Sequence, residues 1–190
     1  MKIKFGIDID GTVTCPSSLV PYLNESFNLN ITLDDIKQYD LNPLVDIDEK
    51  EFAKWFYEKE PIIYSQSPLA SGAKEILAKW ELLHELCFIS ARGDHLLEIT
   101  KDWFVRNEVG FNHIELIGTH DKIGAAKKFE VDIFLEDKHD NAVSIHEECG
   151  IPVLLFNTPY NQDPIPKGVI RVNDWFEADR WVNDWLLSKK

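Results

Sequence analysis

The 190-residue sequence predicts a three-layer α/β sandwich of Rossmann-like type, with a mainly parallel sheet and a small helical cap inserted after the first strand. Three observations predict it. Apolar runs of strand length alternate with segments of helical spacing, polar residues collect where those runs stop, and the alternation is interrupted once, between Thr14 and Ser71.

The first strand is read from Ile3 to Ile9, where Ile3, Phe5, Ile7 and Ile9 alternate until "DGT" turns the chain. Between Thr14 and Ser71, "SSLVPYLNESFNLN", "TLDDIKQYDL" and "DEKEFAKWFYEKE" read as short helices separated by Asn and Pro turns. The domain expectation follows: residues 1–14 and 71–190 form the core, and 15–70 a helical cap. After Ser71, a candidate N-cap, "GAKEILAKWELLHE" spaces Ile76, Leu77, Trp80 and Leu83 as a helix does, and "LCFIS" follows as a strand. The rhythm continues through "HLLEITKDWFVRN" (helix), "HIELIG" (strand), "KIGAAKKF" (helix), "VDIFLED" (strand), "HDNAVSIHEECG" (helix, stopped by Gly150) and "PVLLFN" (strand). The tail places Trp175, Phe176, Trp181, Trp185 and Leu186 near helical spacing, so it docks as a helix on the layer, its tryptophans in the core. Near-continuous apolar strands alternating with helices imply right-handed crossovers and helices on both sheet faces.

Composition excludes several classes of function. With 44% hydrophobic residues, including six Trp, the chain can bury a core large enough to offset its ordering entropy. A net charge of −13 repels polyanions, which argues against polymeric nucleic acid as a partner while leaving room for a small anion at a local positive site. Cys15, Cys87 and Cys149 are odd in number and widely spaced, so neither a disulfide framework nor a zinc site is expected. No stretch approaches membrane-span length and no leader pattern is present, so the expectation is a soluble cytoplasmic protein, with a homodimer left open.

In a doubly wound sheet, ligands bind beyond the carboxyl ends of the strands. There the sequence places Asp8, Asp10, Gly11 and Thr12 after the first strand, Ser90, Ala91 and Arg92 after the second, Lys122 at a helix start, and Glu136 and Asp137 after "IFL". Each piece has a plain structural explanation: a turn for Asp-Gly, an N-cap for Ser90, a surface charge for Lys122, a loop start for "ED". Four such groups on one edge have a common one. Asp8 and Asp10 would repel unless a cation lay between them, and oxygen donors without His or Cys favour Mg²⁺. Arg92 suits a phosphate or a cap carboxylate. Phe52, Trp55 and Phe56 share a helical face that either packs or stacks on a nucleobase. The histidines show no ligand spacing.

"DIDGT", "SAR", Lys122 and "LED" resemble the four motifs of the haloacid dehalogenase superfamily of phosphohydrolases, over nearly the whole chain. "FLEDKHDNA" and "LLFNTPYNQ" are similar to its 5'(3')-deoxyribonucleotidase-like branch, although "SAR" stands where a proline-containing motif is usual and "ED" where two aspartates are. The resemblance implies that Asp8 is the nucleophile and Asp10 the general acid and base, with Thr12 orienting Asp10. It implies that the Ser90 hydroxyl and the backbone amides near Ala91 hold phosphoryl oxygens, that Lys122 neutralises developing charge, and that Mg²⁺ binds Asp8, Asp10 and Asp137, with Glu136 behind them. The expected activity is Mg²⁺-dependent hydrolysis of a phosphomonoester, a (deoxy)nucleoside monophosphate first. A sugar phosphate is the alternative substrate and a non-catalytic phospho-ligand binder the lesser alternative.

Overall fold

The computed structural model describes residues 2–189. In chain order the elements are β1 (Lys4–Ile7), α1 (Val20–Phe27), α2 (Glu49–Gln66), α3 (Ala73–Glu81), β2 (Glu85–Ser90), α4 (Leu97–Arg106), β3 (His113–Leu116), α5 (Ile123–Phe129), β4 (Ile133–Glu136), α6 (His139–Cys149), β5 (Val153–Phe156), β6 (Val169–Val172) and α7 (Trp175–Ser188). The strands form one sheet in the order β3-β2-β1-β4-β5-β6, and every pairing is parallel rather than mainly so. Strand order reverses direction around β1. Ile7 pairs with Phe88 of β2 and Leu135 of β4, which brings the ends of three strands level. That is the place where such sheets open a crevice for ligand.

Each face of the sheet buries a different kind of helix. Ile3, Phe5, Ile7 and Ile9 meet α3, α4 and α7, where Trp80 stacks on Phe5 at 4.4 Å and Trp103 and Trp175 are fully buried. On the other face Cys87, Ile89, Phe134, Val153 and Leu155 pack against Ala125, Ala126, Ala142 and Ile145 of α5 and α6. The small residues let these two helices lie close. Gly6 is the matching device in β1: a Cβ there would fall 2.4 Å from the Phe134 ring.

Several boundaries differ from expectation for identifiable reasons. β1 ends at Ile7, because the amides of Val13 and Thr14 both turn back onto the Ile9 carbonyl at 2.9 Å. The cap of α3 is Gly72 at φ +82°, not Ser71; its left-handed backbone suits glycine, and the Phe176 ring fills the space a side chain would need. α2 continues through Pro61, which removes one helical donor, because Ile63 and Tyr64 beyond it are buried against Leu96 and α4. β6 was not expected: it is a four-residue edge strand after a proline-containing loop, and Arg171 interrupts its apolar pattern. Trp181 and Trp185 are half-buried and Phe176 is 41% exposed, so among the tail's aromatic residues Trp175 alone is core in the full sense, beside Ala178 and Val182.

The helical segment between β1 and α3 leaves and re-enters the core through paired backbones. The Cys15 amide bonds the Pro68 carbonyl and the Ala70 amide the Val13 carbonyl, each at 2.8 Å, beside an antiparallel bridge from Thr14 to Leu69.

Candidate active site

The turn after β1 is built for close approach. Gly11 sits at φ +78°, and a Cβ on it would lie 2.1 Å from Asp137 Oδ2. Its amide donates to Thr14 Oγ1 at 3.2 Å. Thr12, expected to orient Asp10, points elsewhere: it is fully buried, its hydroxyl has no partner, and its carbonyl accepts the Trp175 indole at 3.0 Å. The hydroxyl that shapes this turn is that of Thr14.

Asp8, Glu136 and Asp137 bring carboxylate oxygens within 4.8 Å of one another, all buried. Lys122, also buried, reaches in from the start of α5 and donates to Asp8 and, at 2.8 Å, to Glu136 Oε2. Three carboxylates thus face one ammonium. Burial pushes the Asp8 carboxyl up to about 7, reinforced by Glu136 and Asp10 and opposed by Lys122. Burial, with Asp8 and Glu136, raises Asp137 well above the usual carboxylate range. Glu136 resists its burial through Lys122 and the amides of Asp137 and Lys138, which hold it low. Lys122 likewise resists its own burial because the Asp8 and Glu136 charges hold it above its ordinary value.

The donor set fits a divalent cation. All three groups are hard oxygen ligands, and the excess negative charge is uncompensated by protein alone. Glu136 is saturated by Lys122, two amides and Asn141 at 3.4 Å, which leaves Asp8 and Asp137 the freer ligands.

Sequence reasoning missed the supports of Asp137. Tyr160 donates its hydroxyl to Asp137 Oδ2 at 2.5 Å, and Asn161 Nδ2 bridges the carbonyls of Asp137 and Phe156, each at 2.7 Å. Arg171 of β6 holds Asn161 Oδ1 at 2.7 Å. Tyr160 and Asn161 follow the carboxyl end of β5, so the strand-end rule applied once more would have found them.

The remaining residues separate into two groups. Asp8, Asp10, Ser90, Ala91, Arg92, Lys122 and Asp137 border one cavity of about 510 Å³; Thr12 and Glu136 do not. Ser90 Oγ accepts the Arg92 amide at 3.2 Å. The Arg92 guanidinium, expected on a phosphate or a cap carboxylate, is forked onto the core carboxylate Asp10 at 2.7 and 2.8 Å. The inserted segment supplies the apolar wall of the cavity, including Leu19, Ile36, Phe52, Phe56 and Ile63. The aromatic trio is split: Phe52 and Phe56 border the cavity, while Trp55 packs between Phe27 (4.8 Å) and Phe52 (5.4 Å). His95, given no role from sequence, joins core to insertion through Glu60 at 2.9 Å.

No family model matches the chain. It is 52% identical to "Putative nucleotidase BH1399" of Halalkalibacterium halodurans, across 96% of this chain and 94% of that protein. It is 49% identical to "Putative nucleotidase YqfW" of Bacillus subtilis across the same shares. The chain belongs to this nucleotidase family. Its fold matches haloacid dehalogenase-like hydrolases: a Streptococcus pneumoniae protein superposes with a TM-score of 0.69 at 13% identity, covering 95% of this chain and 98% of that one. The Bacillus subtilis HAD-hydrolase YfnB, solved with magnesium bound, gives 0.62 at 13% identity, covering 96% and 99%. Membership of this nucleotidase family makes the protein an enzyme of the phosphatase class.

Proposed function

We propose that this enzyme hydrolyses nucleoside monophosphates through a phosphorylated Asp8, with residues 15–70 capping a core of 1–14 and 71–190. The observation that carries the reading is the make-up of the cavity: Asp8, Asp10, Asp137 and Ser90 come from strand ends and Lys122 from the start of α5, while the insertion contributes apolar and aromatic side chains such as Leu19, Ile36, Phe52 and Phe56 beside Asp40 and Glu60. The first set suits a phosphoryl group and the second an aromatic base, within a volume typical of small-molecule sites.

In the first half-reaction an Asp8 oxygen attacks phosphorus in line as the ester P–O bond breaks, and Asp10 delivers its proton to the departing oxygen. In the second, Asp10 takes a proton from water, the water oxygen attacks phosphorus, and the bond to Asp8 breaks to release phosphate. Lys122 neutralises charge on Asp8 and the phosphoryl oxygens, and the Ser90 hydroxyl donates to one of them. Mg²⁺ held by Asp8, Asp137 and the Asp10 carbonyl would supply further charge neutralisation at the phosphoryl group. Among the described residues no helix is long and apolar enough to cross a membrane, and the three cysteines are free, which suits work in a reducing cytoplasm.

The test is phosphate release with Mg²⁺ across deoxy- and ribonucleoside monophosphates, sugar phosphates and an aryl phosphate. Nucleoside monophosphates should give the highest kcat/KM, and Asp8→Asn should lower kcat by about 10³-fold or more with the fold retained. A sugar phosphate leading the series would replace the substrate assignment; unchanged turnover in Asp8→Asn would end the mechanism.

A further inference from the structure

Each nitrogen of the Arg92 guanidinium already has a partner. Nε donates to Asp10 Oδ2 at 2.8 Å, Nη2 to Asp10 Oδ1 at 2.7 Å, and Nη1 to Thr100 Oγ1 at 2.9 Å. The Tyr64 ring covers one face of the group, its centroid 4.0 Å from Cζ. The Arg92 side chain has no exposed surface, whereas that of Asp10 keeps 34%. These contacts join four parts of the molecule: the turn after β1, the end of β2, α4 through Thr100, and the inserted helix α2 through Tyr64.

We propose that Arg92 is a positioning residue for Asp10 rather than a phosphate ligand, and that α2 steadies it through Tyr64. The inference rests on the phosphatase reading above, in which Asp10 moves the proton. A carboxyl group on a turn can rotate about two side-chain bonds, and proton transfer needs its oxygen within hydrogen-bond reach of the leaving oxygen. A planar fork fixes both the direction and the plane of the carboxylate, which a point-charge ammonium cannot do. Each Asp10 oxygen retains a lone pair outside the fork to carry a proton. Thr100 is fully buried and does not border the cavity, so its hydroxyl reaches the chemistry only by holding the guanidinium. Seating α2 therefore also seats the proton donor, which ties the packing of α2 on Arg92 to the acid step.

The experiment compares a nucleoside monophosphate, whose alkoxide leaves poorly, with p-nitrophenyl phosphate, whose leaving group needs little protonation. Asp10→Asn sets the full size of the leaving-group effect. Arg92→Lys should lower kcat on the nucleotide by about 10- to 100-fold and on the aryl phosphate by less than about threefold, with KM nearly constant for both. Thr100→Val should shift the ratio of the two kcat values in the same direction by about three- to tenfold, and Thr100→Ser, which keeps the acceptor, should restore the wild-type ratio. Tyr64→Leu should move the ratio the same way; an unchanged ratio there removes α2 from the proposal. If Arg92→Lys does not fold, the Thr100 pair decides. KM raised tenfold for both substrates would make Arg92 a phosphate ligand, and equal kcat losses on both with a lowered Tm would make it merely structural; either result overturns the proposal. Absence of Asp8-dependent turnover on both substrates would instead overturn the phosphatase reading.

Discussion

Two side-chain clusters at opposite ends of the same sheet could each hold a metal ion by composition: Asp8, Glu136 and Asp137 at strand ends, and Glu85, Cys87 and His113 at strand beginnings. Their surroundings separate them. The first faces a cavity and carries more negative charge than Lys122 can neutralise. At the second, Glu85 is paired with Lys2 at 3.3 Å and with His113 at 3.2 Å. Burial pushes the Cys87 thiol up to about 11, so it stays protonated, and none of the three borders the cavity. A set of ligand atoms becomes a site through unspent charge and an opening to solvent, not through proximity alone.

Chelation should break the symmetry most completely. EDTA should abolish phosphate release and Mg²⁺ restore it, while Glu85→Gln and His113→Gln leave both responses as in the wild type. Full activity in chelator would remove the metal from the first cluster. Next in size, Tyr160→Phe deprives Asp137 of its hydroxyl donor and should raise the Mg²⁺ concentration for half-maximal activity by about tenfold, with kcat within about threefold. A Mg²⁺ response identical to wild type would show that Tyr160 does not orient the ligand.

A smaller effect concerns pH. Asp8 rises from an ordinary 3.8 to about 7 on folding, so between those values the metal-free folded state binds more protons than the unfolded state. Its contribution to stability therefore falls as pH rises through that window, and Asp137 acts with the same sign. A cation offsets the penalty, so saturating Mg²⁺ should raise Tm by about 3 °C or more at about pH 8 and by less than half of that at about pH 5. Equal shifts at both pH values would contradict the assignment. The smallest effect belongs to the other cluster: Cys87→Ala should lower stability by about 1 kcal/mol, measured in denaturant, with kcat/KM within about twofold.

Much of the architecture was legible in the chain because period and punctuation report local physics. The alternation of Ile3, Phe5, Ile7 and Ile9 marked a strand, Gly150 at φ +69° ended α6 as expected, and the segment after Thr14 is helical. β6 escaped because it is only four residues long and Arg171, which faces a loop rather than the core, breaks its apolar run. The length of α2 escaped because Pro61 reads locally as a stop, whereas burial of Ile63 and Tyr64 carries the helix past it. At the site, the positions of Asp8, Lys122 and Asp137 at strand and helix ends could be read from the order of elements. The partners of Asp137 and the commitment of Arg92 could not.

By itself the sequence determined most of the elements, their order and the edge on which polar residues gather, because these follow from residue spacing along one chain. Tertiary structure alone decided which charge meets which. Arg92 lies 82 residues from Asp10 and Lys122 lies 114 from Asp8. A guanidinium suits a phosphate or a carboxylate equally well by chemistry, and only the packing of α2 and α4 around it selected Asp10.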